Sequence, residues 1–258
     1  MNVSDSFKLT GKVAIVTGGA GLYGRQMVEC VAEAGAKTFT ADINLDKQEI
    51  LAADYRKRGL DVTAVHYDQG SEASIRQLLK KVVDAAGGVD VLVNGAVLRP
   101  MKDWADRPEN FAESMRINAT GMFMMNKFFG EHMAERGHGS IVNISSIQGI
   151  IGPDFTLYEG LGWGTPPDYF FHKGGLVQLT RFAASKLGPR GVRVNVICPG
   201  GFYDGQEERF VKRYNVRTFL GRMANETDLK GPIVFLASEA SCYVTGAVLM
   251  VDAGYTAK

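Results

Sequence analysis

The chain has few of the features that mark several large classes of protein. Its 258 residues include three cysteines, Cys30, Cys198 and Cys242. They are widely spaced and each lies in an apolar stretch, so neither a disulfide framework nor a zinc site is expected, and they read as buried thiols in a reducing compartment. No apolar run approaches the ~18 residues that would span a bilayer. The N-terminus has no basic segment followed by an apolar core and a cleavage site. Charge of one sign is also missing: 29 basic and 28 acidic residues leave a net charge of +1. A nucleic acid or an anionic membrane would call for a basic stripe, and none is present. Internal repeats, low-complexity tracts and long charge runs do not occur. The expectation is a cytoplasmic protein acting on a small molecule, with no metal, built as one large domain over residues 1–258.

What the chain does have is alternation. Apolar runs suited to buried parallel strands recur at Val13 to Val16, Lys37 to Ala41, Val62 to Val65, Val89 to Val93, Ser140 to Ile144, Val192 to Ile197 and Val248 to Val251. Helical patterns fall between most of them: Arg25 to Ala34, Leu45 to Arg58, Ser71 to Ala86, Glu109 to Arg136, Tyr169 to Leu187 and Asp228 to Leu236. Repeated βα units predict a doubly wound α/β fold, with a seven-stranded parallel sheet and helices on both faces. Ligands then bind beyond the carboxyl ends of the strands, where strand order reverses. The Pro/Gly-rich stretches Gly149 to Asp168 and Pro199 to Gly205 each follow a predicted strand and read as active-site loops.

Three motifs fall at such positions. The first strand runs into Thr17-Gly18-Gly19-Ala20-Gly21-Leu22-Tyr23-Gly24. Glycines there permit close approach of a phosphate to the unpartnered N–H groups of the following helix. The second strand ends in Asp42, near the ~20-residue distance at which an acid meets adenosine ribose hydroxyls. Beside a 2′-phosphate that carboxylate would cost ~4 kcal/mol for charges ~4 Å apart at an effective dielectric of about 20, which favours NAD over NADP. Ile43, Asn44 and Leu45 bring no compensating cation. Asn44 rather than Asp42 is the better-placed helix cap. Further on, Ser145-Ser146 precedes Tyr169-Phe170-Phe171-His172-Lys173. A tyrosine and a lysine four apart share a helix face, and an ammonium within ~4 to 6 Å lowers a phenol's pKa by about 1 to 3 units. Together the three motifs describe a nicotinamide-dependent oxidoreductase. Thr165, two prolines and Asp168 read as a capping box before Tyr169, and His172 reads as facing away from the pair.

From Lys8 to Ala257 the chain resembles the short-chain dehydrogenase/reductase family, which implies a Rossmann fold and NAD as cofactor. The resemblance implies diphosphate contacts at Thr17, Gly18 and Gly24, with Gly19, Gly21 and Tyr23 in the same loop and Leu22 where the family has a glycine. It places Asp68 against the adenine, Asn94 at the head of a divergent Asn94-Gly95-Ala96-Val97, and Pro199-Gly200 at the diphosphate. Asp204 replaces a threonine of the family. Asn118 matches the asparagine that kinks a long helix and holds a water in the proton relay. Tyr169 is implied as the proton-transferring residue, Lys173 as its partner and a ribose ligand, and Ser146 as donor to the substrate oxygen. Tyr158 stands at a separation from Ser146 nearer the family's usual one, but no lysine follows it at four residues.

Relative to the family, residues 150–167 contain an insertion of roughly ten residues, which brings Phe155, Tyr158 and Trp163 to the pocket mouth, rimmed by Asp154 and Glu159. It reads either as a lid suited to a polyhydroxylated ligand or as rings packed onto the body. Arg99 and Lys102 read as surface charge, with contact to an anionic group on a substrate as the alternative. The expected activity is NAD-dependent interconversion of a secondary alcohol or sugar hydroxyl with its ketone or lactone, most of all on a sugar or sugar acid. Reduction of a lipid-like or acyl-carrier-bound 3-oxo substrate, or NAD sensing without turnover, are the alternatives. The family further implies a homotetramer or dimer assembled through the helices at Glu109 to Arg136 and Tyr169 to Leu187.

Overall fold

The structure is a computed structural model that describes residues 2–258. A short helix α1 (Val3–Ser6) leads into β1 (Val13–Thr17), α2 (Gly24–Glu33), β2 (Lys37–Asp42), α3 (Leu45–Lys57), β3 (Val62–His66), α4 (Glu72–Ala86) and β4 (Val91–Asn94). The second half continues with α5 (Pro108–Ser114), α6 (Met122–Glu135), β5 (Gly139–Ile144), α7 (Pro167–Leu187), β6 (Val192–Pro199), α8 (Glu208–Arg217), α9 (Lys230–Ala237) and β7 (Val248–Val251). The seven strands form one sheet in the order β3-β2-β1-β4-β5-β6-β7, with every pairing parallel. This is the doubly wound Rossmann arrangement, and its order reverses between β1 and β4.

Period-2 alternation divides the strand side chains between two apolar layers. Ala14, Val16, Val91 and Val93 join Met27 and Val31 of α2 and Ile233 and Leu236 of α9 on one face. Val13, Ile15, Leu92 and Ile141 join Leu78 of α4, Phe129 of α6 and Leu187 of α7 on the other. All five residues of β1 are buried, as a central strand covered on both faces requires.

Several expectations need correction. The single helix foreseen from Glu109 to Arg136 is interrupted: Met115–Gly121 is π-helical between α5 and α6. The wider turn frees a backbone carbonyl, that of Ile117, which accepts from Gln69 Nε2 at 3.0 Å. Helix α8 was not foreseen, because its sequence is mostly polar and only Phe210 and Tyr214 are buried. Strand β4 starts at Val91 rather than Val89, whose N–H is taken by the His132 ring. Helix α7 has no capping box: Pro166 is its cap residue without a side-chain bond, and Pro167 opens it. Cys30 and Cys198 are buried, but Cys242 is exposed. Asn44 caps α3 by accepting from the Lys47 N–H, as read. Among the described residues, no helix is long and apolar enough to cross a membrane.

Candidate active site

The carboxyl ends of β1, β4, β5 and β6 open into a cavity of about 610 Å³. Its floor is the turn between β1 and α2. Gly18 adopts φ +72°, and a Cβ on Gly24 would lie 2.0 Å from the Gly18 carbonyl oxygen, so only glycine lets helix and turn close on each other. Among the described residues, the N–H groups of Leu22, Tyr23 and Gly24 find no backbone carbonyl. A helix start with open donors facing a cavity fits the diphosphate of a dinucleotide. Leu22, the departure from the family's glycine, is accommodated by turning half its surface to solvent.

Gly18, Gly21, Leu22, Tyr23 and Gly24 line this cavity, as do Pro199 and Gly200. Tyr23 ties the two groups together, since its hydroxyl donates to the Gly200 carbonyl at 2.8 Å. Thr17 stands behind the turn, its Oγ1 accepting from the N–H groups of Gly95 and Ala96 at 3.1 and 3.2 Å. Gly19 also lies behind it, close to the Thr40 hydroxyl. At the divergent Gly95, a Cβ would meet the Met27 methyl at 2.2 Å and the Thr17 carbonyl oxygen at 2.9 Å. Asp204 is exposed and lies off the cavity, with its N–H bonded to Gln206.

Other expected cofactor residues sit around the cavity rather than in it. Asp42 ends β2 next to the glycine turn, whose Gly18 N–H donates to the Ala41 carbonyl at 2.9 Å. Asp68 closes its own turn, accepting from the Gly70 N–H at 2.8 Å. Asn94 is fully buried and donates to Asn143 Oδ1 at 2.9 Å. It belongs to a polar chain that sequence reasoning missed: Asn143 Nδ2 reaches Asn126 Oδ1 at 3.0 Å and Thr180 Oγ1 at 2.9 Å, joining β4, β5, α6 and α7. These residues look like ordinary surface polar types in the sequence, and only the packed layers put them together.

Ser146, Tyr169 and Lys173 meet on the opposite wall. Lys173 is buried, donates to the Ile144 carbonyl at 2.7 Å, and holds its ammonium 5.5 Å from the Tyr169 ring centre. Ser145 braces the same turn of helix by donating to the Lys173 carbonyl at 2.8 Å. Burial pushes the Tyr169 phenol up, but the Lys173 ammonium, the Arg99 guanidinium and the Ser146 hydroxyl outweigh it and bring the phenol below its ordinary value. Burial draws the Lys173 ammonium down from its usual range. Tyr158 also lines the cavity, but it stands in an aromatic cluster with Trp163 and Phe210, and burial raises its hydroxyl.

His172 does not face away. Its ring packs edge-on against Tyr169 at 5.2 Å, outside the cavity lining, and burial lowers it to about 3, so it is neutral. Asn118 sits in the π-helical segment and clamps Leu98 from both sides. Its Oδ1 accepts from the Leu98 N–H at 2.9 Å and its Nδ2 donates to the Leu98 carbonyl at 2.7 Å. That clamp sets the next residue, Arg99, over the Tyr169 ring at 4.8 Å. Arg99 is exposed, as read, but it also lines the cavity, whereas Lys102 stays out of it. In the insertion, Tyr158 and Trp163 reach the cavity but Phe155 does not. Asp154 is held by Arg217, and Glu159 is exposed and off the cavity, so neither rims it.

A crevice at the switch point of such a sheet, with this cradle on one side and a Ser, Tyr, Lys group on the other, defines a nucleotide-dependent oxidoreductase. The chain belongs to the short-chain dehydrogenase/reductase family: a family model described as enoyl-(acyl carrier protein) reductase matches residues 21–256. It is 36% identical to an uncharacterized oxidoreductase of Thermotoga maritima, covering 97% of this chain and 98% of that one. It is 32% identical to an L-rhamnose 1-dehydrogenase (NAD(P)(+)) of Sphingomonas sp., covering 95% and 96%. Among solved structures, a gluconate 5-dehydrogenase from Burkholderia cenocepacia in complex with NADP and tartrate superposes with a TM-score of 0.90 at 30% identity, covering all of both chains.

Proposed function

We propose that this protein is an NAD-dependent dehydrogenase of a sugar or sugar acid, interconverting a secondary hydroxyl with a ketone, or an anomeric hydroxyl with a lactone. The observation that carries the reading is the pairing of Tyr169 with Lys173 across the cavity from an open helix start. The rhamnose 1-dehydrogenase relative and the gluconate 5-dehydrogenase neighbour support the substrate class.

The residues of the β1–α2 turn, Asp42 and Lys173 would hold the dinucleotide, with Asp68, Asn94, Pro199 and Gly200 shaping its bed. When bound, the nicotinamide accepts a hydride from the substrate carbon or returns it. Tyr169 takes the hydroxyl proton in oxidation and gives it back in reduction. Ser146 donates to the substrate oxygen and stabilises the charge that builds there. Lys173 favours the ionised form of the phenol, and Asn118 fixes the loop opposite. Asp42 supports NAD over NADP by repelling a 2′-phosphate. The NADP in the gluconate 5-dehydrogenase complex makes this a choice to be measured.

The test is reduction of NAD+ and of NADP+ by the purified protein across aldoses, polyols, aldonates and uronates, with a 3-oxoacyl thioester plus NADH alongside. Turnover on a hydroxylated substrate with NAD+ preferred is expected. Turnover on the thioester alone would move the assignment to a reductase. Tight NAD binding with no turnover would make the chain a sensor. Asp42→Ala should narrow the gap between the two nucleotides.

We also propose assembly as a homodimer or tetramer through α6 and α7. Phe171 and Phe182 on one stripe of α7 are 65% and 69% exposed, and Phe123 of α6 is 46% exposed.

A further inference from the structure

Among the described residues, the charged side chains lining the cavity are both cationic, Lys173 and Arg99, and no aspartate or glutamate reaches it. The diphosphate cradle uses backbone donors, and the Lys173 ammonium is turned to Tyr169 and the Ile144 carbonyl. The charge of Arg99 is left over. Nearby arginines of α8 are engaged, Arg217 with Asp154 and Arg213 with the carbonyls of Leu157 and Glu159. Among the described residues, Arg99 has no carboxylate within 4.0 Å. It is also held in place. The two-sided Asn118 clamp fixes the backbone of Leu98 next to it, and the guanidinium carbon of the exposed Arg99 rests 4.8 Å from the centre of the Tyr169 ring. Tyr158 and Trp163 of the insertion line the same cavity as Arg99.

We propose that Arg99 receives a carboxylate of the substrate, so that the protein oxidises a hydroxyl of a sugar acid in preference to a neutral sugar or polyol. This rests on the dehydrogenase reading above. A guanidinium fork matches a carboxylate bidentately, and a single uncompensated positive charge balances a single negative one. A phosphate dianion would need a second free cation, and Lys173 is committed. The carboxylate is a handle that takes no part in the bond changes: the C–H hydride leaves for the cofactor, the hydroxyl proton goes to Tyr169, and a C=O bond forms. Occupation of Arg99 has a second consequence. Tyr169 loses the help of one of its two cations in the complex, so for an acid substrate the acid limb of kcat lies at higher pH than that of kcat/KM. For a neutral substrate, the two limbs are not separated by this effect.

The experiment compares C5 and C6 aldonates and uronates with the polyols and aldoses of the same carbon chain, using the full protein and its Arg99→Lys and Arg99→Met variants. The acids should be favoured in kcat/KM by roughly 10- to 100-fold. Arg99→Met should collapse that ratio towards one, mainly through KM, and merge the two pH limbs, while Arg99→Lys should keep part of the preference. A preference for neutral substrates, or a ratio that survives Arg99→Met, overturns the inference. Should nothing be oxidised, calorimetry of the NADH-loaded protein with D-gluconate and with sorbitol reads the same preference without chemistry. Gluconate binding that Arg99→Met abolishes would then uphold the receptor and place the failure in the dehydrogenase reading, whereas equal binding of the two would overturn it.

Discussion

At the scale of single residues, the chemistry turns on how far two cations outweigh burial at one phenol. Tyr169 sits where loss of solvent would raise its pKa, yet Lys173 and Arg99 bring it below its ordinary value. The sign is then set for alcohol oxidation. The base is the ionised phenol, so lowering its pKa extends activity to lower pH, and rates fall as pH drops through that value. Lys173→Met should move this limb to higher pH, as measured in pH profiles of kcat/KM. Tyr169→Phe should cut kcat by at least ~10²-fold while changing cofactor affinity little, as measured by titration of protein fluorescence with NADH. Unchanged turnover in Tyr169→Phe would return the role to Tyr158. The spacing of Tyr169 and Lys173 was legible because helix geometry alone makes residues four apart neighbours. Arg99 was flagged but undervalued, since its position depends on Asn118, nineteen residues later in the chain, gripping the backbone of Leu98.

At the scale of elements, the insertion is tied down rather than loose. Arg209, Arg213 and Arg217, spaced one helical turn apart on α8, reach the Gly160 carbonyl, the Leu157 and Glu159 carbonyls, and Asp154 with Thr156. Helix α8 and the insertion therefore form one wall of the cavity. Arg213→Ala combined with Arg217→Ala should raise the substrate KM several-fold with a smaller effect on cofactor KM, as read from steady-state kinetics. At the other end of the sheet, Asp90 joins β1 to β4. Its Oδ2 accepts from the Val13 N–H at 2.8 Å, and Arg136 and His138 flank its other oxygen. Burial raises its pKa, but the Val13 N–H, His138 and Arg136 together bring it below the ordinary value. A depressed carboxyl contributes stability above its unfolded value of ~3.9 and loses it as pH falls through the folded one. Asp90→Asn should cost about 1–3 kcal/mol at neutral pH and flatten the acid side of the stability curve, as measured by urea denaturation. The seven strands were readable to within two residues at either end, because continuous apolar runs have few other uses. Helix α8 escaped because its partner surface is the insertion. The break in the long helix was implied only through the family's kinking asparagine, Asn118, while its π-helical form and the bond from Gln69 to the Ile117 carbonyl were not legible in the sequence.

At the scale of the whole molecule, the parallel order β3-β2-β1-β4-β5-β6-β7 brings residues 18, 99, 146, 173 and 200 to one crevice. The exposed phenylalanines of α6 and α7 predict association: the protein should elute as a dimer or tetramer in size-exclusion chromatography with light scattering, and Phe182→Glu should shift it to a smaller species. A wild-type monomer would remove the assembly proposal and leave the active site as described. The amino-acid sequence by itself determined the α/β class, the glycine turn and the Tyr–Lys pair, because periodicity and short spacings act between neighbours along the chain. Only the tertiary structure decided that Arg99 faces the cavity, that Asp154 and Glu159 do not, and that Asn94 belongs to a buried polar chain. Those outcomes depend on which distant backbone or charge a side chain meets, and that follows from the crossing of strands rather than from the order of residues.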